Sequence, residues 1–313
     1  MTTRAMAMPA VDYISVDPAY REVLHAAGLT SVDSILSRLD GDVAAWSRST
    51  DTLHVPGPAG GPGFYLKRYY YATWRKRFRT MLRGTFFGVH RGEAEYAALQ
   101  AMRNLGINAA RPVAYGARRL AHFVTACFLI TEEVPGSTNL TTFASDVAAG
   151  RRALTRAERL AMIARLARQV TEMHAAGFCH GQMFWRNILV RRGLDGQPEF
   201  FFLDAQPPPS WRRVSPTAAW WHRELANLLI SALPFTTRTD RLRFLRHYLG
   251  GRLKPEIKAH VHAIEACSRQ WHRHELQRIK MNDLFERWRR QLDLEHTPAA
   301  QTEVNAARDG ASP

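Results

Sequence analysis

His180-Gly181-Gln182-Met183-Phe184-Trp185-Arg186-Asn187-Ile188-Leu189-Val190 is the stretch around which the rest of the chain can be ordered. Upstream, the spacing predicts a long helix from about Thr155 to Ala176. Thr155 and Glu158 form a capping-box pattern at its start. Leu160, Ile163, Leu166, Val170 and Met173 make its apolar face, and Gly177 stands where a C-terminal cap belongs. Downstream, the apolar runs Ile188 to Arg191 and Phe200 to Leu203 read as short strands. Asp204 closes the second run, seventeen residues after Asn187.

Working outward, Asp42 to Arg68 alternates enough to predict strands, most clearly at Phe64-Tyr65-Leu66-Lys67-Arg68. Between strand candidates lies Pro56-Gly57-Pro58-Ala59-Gly60-Gly61-Pro62-Gly63. It lacks the G-K-[ST] ending of a phosphate loop, and its prolines remove backbone donors, so it reads as a plain connection. Arg91 to Asn104 has helical spacing, with Leu99, Met102 and Leu105 on one face, and a strand from Phe123 to Ile130 follows after a Pro- and Gly-punctuated connection. Beyond Pro207-Pro208-Pro209 the chain reads as helices over roughly Ala218 to Leu233, Arg238 to Leu249 and Glu256 to Leu294. Strands early and helices late imply an α+β architecture of two lobes, a small N-terminal sheet lobe and a larger helical C-terminal lobe. The expected divisions are an N-terminal extension over 1–40, an N-lobe over 41–134, a C-lobe over 135–295 and a polar, disordered tail over 296–313.

Composition limits the function classes. The chain has 313 residues, 46% of them apolar, which suffices for a sizeable core and excludes a disordered or fibrous protein. Forty-three Lys and Arg against 28 Asp and Glu give +15, which predicts an anionic partner. Cys127, Cys179 and Cys267 are odd in number and widely spaced, as expected in a reducing cytoplasm. No signal-peptide pattern is seen at Met1 to Ala10, and no apolar run approaches the ~20 residues of a membrane span, so a soluble or peripherally attached protein is expected.

Met173-His174-Ala175-Ala176-Gly177-Phe178-Cys179-His180-Gly181-Gln182, followed by Asn187-Ile188-Leu189-Val190, resembles the catalytic loop of protein-kinase-like phosphotransferases. More narrowly, it resembles the bacterial lipopolysaccharide core kinase (Kdo/WaaP) family. Further pieces stand in that family's order: Phe64 to Arg68 with its strand Lys, Glu95-Tyr96-Ala97-Ala98-Leu99, Leu129 to Val134 as the inter-lobe connection, Phe202-Leu203-Asp204, Glu224 to Leu229, and Asp240 to Arg246. The likeness spans roughly residues 45 to 250. It implies a two-lobed kinase-like fold and an ATP- and Mg²⁺-dependent transfer of phosphate to a sugar hydroxyl of an anionic glycolipid.

The resemblance implies that Lys67 grips the nucleotide phosphates, that Glu132 and Val134 line the adenine side, and that Asn187 and Asp204 hold Mg²⁺. Lys67 needs an acidic partner from the helix after it. Glu95 shares a face with Leu99 and Met102 and so points toward the cleft, whereas Glu93 shares one with Ala97 and Gln100. The twenty residues between Asp204 and Glu224 hold no A-P-E element, which argues against a protein substrate. Gln182 occupies the place of the proton-accepting Asp. An amide can accept a hydrogen bond but is not basic enough to take the proton. Two readings follow: a phosphotransferase that manages without that base, or a nucleotide-binding pseudokinase.

From Lys67 to Arg91, seven further Arg and Lys alternate with Tyr69, Tyr70, Tyr71, Trp74, Phe78, Phe86 and Phe87. This pattern fits an interfacial segment on anionic lipid at the inner membrane face, a solvated basic helix with a packed aromatic side, or a nucleic-acid-binding surface. The ordered cleft residues have no explanation in a nucleic-acid binder, so no nucleic-acid partner is expected. The chain is expected to be a monomer. His260, Cys267 and His274 recur every seven residues on a predicted helix, ~10 Å apart and too far to share a zinc.

Overall fold

The computed structural model describes residues 10–47, 49–71, 88–206, 218–251 and 257–273, together with 73, 77, 86 and 277. Nine strands are described. β1 (Ala10–Val16), β2 (Asp42–Ser47), β3 (Thr50–Val55), β4 (Phe64–Tyr70), β5 (Pro112–Leu120) and β6 (Phe123–Glu132) form one antiparallel sheet in the order β1-β5-β6-β4-β3-β2. β7 (Thr138–Asn139), β8 (Ile188–Arg192) and β9 (Pro198–Phe202) form a second, small sheet. The helices are α1 (Arg21–Ala26), α2 (Val32–Leu36), α3 (Arg91–Asn104), α4 (Leu140–Ala148), α5 (Arg156–Ala175), α6 (Ala218–Ala232), α7 (Arg238–Tyr248) and α8 over 257–273. Sheet first and helices later is the two-lobed α+β arrangement expected.

The two faces of β4 show how the site is placed. Alternate strand residues face opposite ways. Phe64 and Leu66 sink into a core with Tyr20, Leu24, Ile35 and Val113, under α1 and α2. Arg68, on that same face, is buried and bonded to Asp51 and to the carbonyls of Ile35, Leu36 and Arg38. Lys67 and Tyr69 face the other way, toward α3. The Pro56 to Gly63 run joins β3 to β4 and contains a single 3-10 turn, Pro58–Gly60.

Four details differ from the sequence expectations. The Pro- and Gly-punctuated connection contains a nine-residue strand, β5. Pro112 is its first residue, where a missing N–H is tolerated, and Gly116 lies so close to β1 that a Cβ would meet Tyr13 O at 2.4 Å. β1, from within the segment expected as an extension, pairs with β5 from Ala10↔Leu120 to Val16↔Ala114 and joins the N-lobe sheet. Helix α4 carried no recognised signal. Leu105, expected on the apolar face of α3, is the exposed C-cap residue, because the helix has already ended.

Helix α5 matches its expected start: Thr155 and Glu158 bond reciprocally in a capping box, and Gly177 adopts φ 75° just past the end. Its residues Leu166, Val170 and Met173 join Met183, Ile188, Phe200, Phe202 and Leu225 in a core that also takes in Leu99 and Met102 of α3. One core therefore runs under both lobes. The lobes are also tied by backbone: Phe202 N donates to Asn108 O at 3.0 Å, and Ala110 N donates to Phe202 O at 3.0 Å. Between α4, α5, α6, α7 and α8 lies an apolar cavity of about 540 Å³, lined by residues that include Phe143, Leu166, Leu228, Phe244, Val261 and Ile264.

Among the described residues of the 67–91 stretch, Arg68, Tyr69, Tyr71 and Arg77 are buried, so these four serve the N-lobe interior and not an interface. Of that stretch, residues 72, 74–76, 78–85 and 87 lie outside the described residues, as do Pro207 to Pro209, His274, the expected end of the last helix and the 296–313 tail. His260 forms a hydrogen bond with His222 of α6 at 2.8 Å. No group of three or more His, Cys, Asp or Glu among the described residues could hold a metal by itself, and no helix there is long and apolar enough to cross a membrane.

Candidate active site

Lys67 is the centre of the cleft. Its ammonium donates to Glu95 Oε1 at 2.9 Å, to Glu95 Oε2 at 3.0 Å and to Asp204 Oδ1 at 2.7 Å. Burial alone would lower its pKa, but Asp204 and then Glu95 hold it well above the ordinary range. The choice of Glu95 over Glu93 follows from helix geometry: Glu95 is buried on the sheet side of α3, while Glu93 sits in the first turn. Gly92 sets the approach of that helix. A Cβ there would meet Phe128 O of β6 at 2.3 Å, so glycine lets α3 lie against the sheet and bring Glu95 to Lys67.

A residue the sequence reading missed completes the pair. Tyr69, two residues beyond Lys67 on the same strand face, is buried, and its hydroxyl donates to Glu95 Oε2. The signal was present in the alternation of β4, but its aromatic neighbours suggested a surface segment instead. Burial raises the Glu95 pKa even though Lys67 opposes it. A full set of donors is what keeps such a carboxylate ionised.

The loop from His180 to Asn187 is held by its backbone. Glu224 of α6, buried, accepts from the amides of His180 at 2.7 Å and of Gly181, and lies 3.4 Å from His174 Nε2. His180 is enclosed, its Nδ1 accepts from Gln182 N at 3.2 Å, and its carbonyl accepts from Gln206 N at 2.7 Å. Burial pushes its pKa below the ordinary value. These contacts suit a residue that orders the loop. Asn187 Nδ2 donates to Gln182 O at 2.9 Å, which leaves the Asn187 oxygen outside that bond, and Leu203 N donates to Asn187 O at 2.9 Å. The loop and the end of β9 are thereby joined.

Asp204 adopts φ 53°, in the left-handed region. Gln206 Nε2 donates to its Oδ1 at 2.6 Å, so Lys67 and Gln206 share one carboxylate oxygen and the other is left free of both. Burial would raise the Asp204 pKa, but Lys67 and then Gln206 hold it below the ordinary range. Asn187 and Asp204 thus each keep one side-chain oxygen outside these hydrogen bonds. That donor set suits Mg²⁺, which needs few protein ligands when phosphates and water supply the rest. Gln182 itself is half-buried, and among the described residues Glu95, Asp204 and Glu224 are all committed as described.

The inter-lobe connection is partly committed. Glu132 ends β6 and its N–H donates to Arg111 O at 2.8 Å, while Val134 O accepts from Ser137. Glu133 between them accepts from Gly63 N at 2.9 Å and pairs with His54 at 3.0 Å.

Comparison with known proteins bears on family and fold. The lipopolysaccharide core heptose(I) kinase WaaP of Pseudomonas aeruginosa is 27% identical over 236 residues, covering 75% of this chain and 83% of that protein. The enzyme of that name from Escherichia coli is 26% identical over 204 residues, covering 63% and 74%. A solved structure of WaaP in complex with acyl carrier protein superposes with a TM-score of 0.59 at 21% identity, over 82% of this chain and 97% of that one, which establishes the shared fold. Residues 59–248 match the model of the Lipopolysaccharide kinase (Kdo/WaaP) family, and the chain belongs to that family.

Proposed function

We propose that this protein transfers the terminal phosphoryl group of ATP to a hydroxyl of a lipopolysaccharide core sugar. The observation that carries the reading is the Lys67–Glu95–Asp204 network, which joins the two lobes across the cleft. Phosphoryl transfer depends mainly on positioning and charge neutralisation, and these residues supply both. Asn187 and Asp204 would hold Mg²⁺, which would neutralise charge on the phosphates. Lys67 would turn from Asp204 to the phosphates, still oriented by Glu95. The Val134 N–H and the Glu132 carbonyl would face the adenine edge. Gln182 would orient the acceptor hydroxyl through a hydrogen bond without removing its proton, so the reaction is expected to be slow. With +15 charge, the protein would meet its anionic glycolipid at the inner face of the cytoplasmic membrane.

The test is turnover of ATP with Mg²⁺ and isolated core glycolipid, set against Asp204→Ala. Transfer above that control is expected. ATP binding without transfer would instead assign a pseudokinase.

A carrier-bound acyl chain is a second ligand worth testing. The solved relative is a complex with acyl carrier protein, and the apolar cavity of about 540 Å³ falls in the range of ligand pockets. Tighter binding of acylated than of unacylated carrier is expected; equal affinity would remove the cavity from the account.

A further inference from the structure

In this state Lys67 has no hydrogen bond to give a phosphate. An ammonium has three donors, and all three end on carboxylate oxygens of Glu95 and Asp204. One turn before Glu95, on the same side of α3, stands a second cation, Arg91. Its guanidinium carbon lies 4.6 Å from the centroid of the Tyr69 ring, the ring whose hydroxyl donates to Glu95. Asp204 and Glu95 are both within its electrostatic reach. Yet no hydrogen bond or ion pair holds the guanidinium among the described residues, because both carboxylates are taken by Lys67, and Arg91 keeps an exposed surface.

A guanidinium held over an aromatic face by a cation–π contact keeps its N–H groups available for a further partner. That is the form in which arginine binds phosphate through two parallel bonds. Its position is fixed from behind as well: Gly92, the next residue, is the point at which α3 touches the β6 backbone.

We propose that Arg91 is a phosphate-binding residue of the cleft, held over the Tyr69 ring and engaging a phosphoryl group of a bound ligand through its guanidinium N–H groups. The assignment rests on the reading of the cleft as a nucleotide site. The phosphoryl group has two possible sources, the terminal phosphate of ATP and a phosphate already carried by the glycolipid acceptor, and the experiment separates them.

Affinities for Mg-ATP and Mg-ADP are measured by calorimetry for wild type, Arg91→Ala and Arg91→Lys, with melting temperature as the folding control. KM is measured for core glycolipid with and without its phosphates. Should the contact be to the terminal phosphate, Arg91→Ala weakens Mg-ATP about 10- to 100-fold, the range for a charge-assisted hydrogen bond, and changes Mg-ADP by less than about 3-fold. Arg91→Lys recovers only part, because the planar fork is lost. Should the contact be to the acceptor, nucleotide affinities hold and KM rises for the phosphorylated glycolipid alone. If Arg91→Ala does not fold, the same comparisons are made on Arg91→Lys, where a smaller loss of the same selectivity is expected. Wild-type Mg-ATP binding with no selective change in either variant overturns this assignment alone. Absence of Mg-ATP binding by the wild type overturns the reading of the cleft and this assignment with it.

Discussion

Replacing Gln182 by Asp puts a carboxylate at the position from which a base would take the acceptor proton, and turnover is expected to rise about 10²- to 10⁴-fold, equivalent to ~3 to 5 kcal/mol of barrier. The structure limits the change to that effect. The backbone from His180 to Asn187 is held by the bonds from His180 N and Gly181 N to Glu224, from Gln182 N to His180 Nδ1 and from Asn187 Nδ2 to Gln182 O. None of them uses the Gln182 side chain. Stability should therefore change by no more than about 1 kcal/mol, since the half-buried side chain carries none of these bonds. Nucleotide affinity should stay within about 3-fold, since the bond that positions Asn187 goes to the Gln182 backbone carbonyl and not to its side chain. The assay is transfer of labelled phosphate from ATP to core glycolipid, run beside ATP binding for both proteins. A variant that binds ATP as the wild type does, keeps its melting temperature and shows no gain in transfer would refute the reasoning, for then the amide is not what limits the reaction.

Lys67→Ala leaves Glu95 and Asp204 without the cation that hydrogen-bonds both of them. With Lys67 19% and Asp204 29% exposed, a cost of about 2 to 4 kcal/mol is expected in chemical denaturation, below the full value for a buried pair. Adding Glu95→Gln should recover part of it, and an additive double mutant would show that the pair is not coupled. Gly92→Ala should cost about 1 to 3 kcal/mol and weaken ATP binding, because the new Cβ meets Phe128 O at 2.3 Å and pushes α3 away from the sheet; unchanged binding would mean α3 can shift without moving Glu95. The third concerns pH. His90 caps α3, accepting from Glu93 N, and burial pushes its pKa down from 6.5 to about 4. Between those values the unfolded chain binds a proton that the folded chain refuses. Stability should therefore fall by about 2 to 3 kcal/mol as pH drops from 6.5 to 4. His90→Asn, which keeps a cap acceptor, should flatten that part of a melting-temperature profile, and an unchanged slope would assign the loss to other groups.

The sequence was most legible where one period or one cap dominated. Helix α5 announced itself through Thr155, Glu158 and Gly177, and Glu95 could be chosen over Glu93 because a helix face follows from spacing alone. Strand β5 was hidden because Pro112 and Gly116 are turn residues in isolation. Only the neighbouring strand β1, about a hundred positions earlier in the chain, explains why a glycine is needed there. Tyr69 and Arg68 were hidden for a related reason. Charge beside aromatic residues suggests a surface until the partners are known, and those partners, Glu95, Asp51 and the end of α2, are distant in sequence. Glu224 was placed in order by resemblance, but its bonds to the loop amides depend on how α6 packs, which local spacing does not encode.

The two backbone bonds between Phe202 and the segment just after α3 give that helix a pivot at one end. From Asn104 back to Arg91 the axis runs about 20 Å, at 1.5 Å per residue. A lobe rotation of about 10° around that pivot would carry Glu95 roughly 2 Å and Arg91 roughly 3 Å, while Met102 would hardly move. Helix α3 is in effect a lever, and its length turns a small closing angle into the difference between a guanidinium that reaches a phosphate and one that falls short.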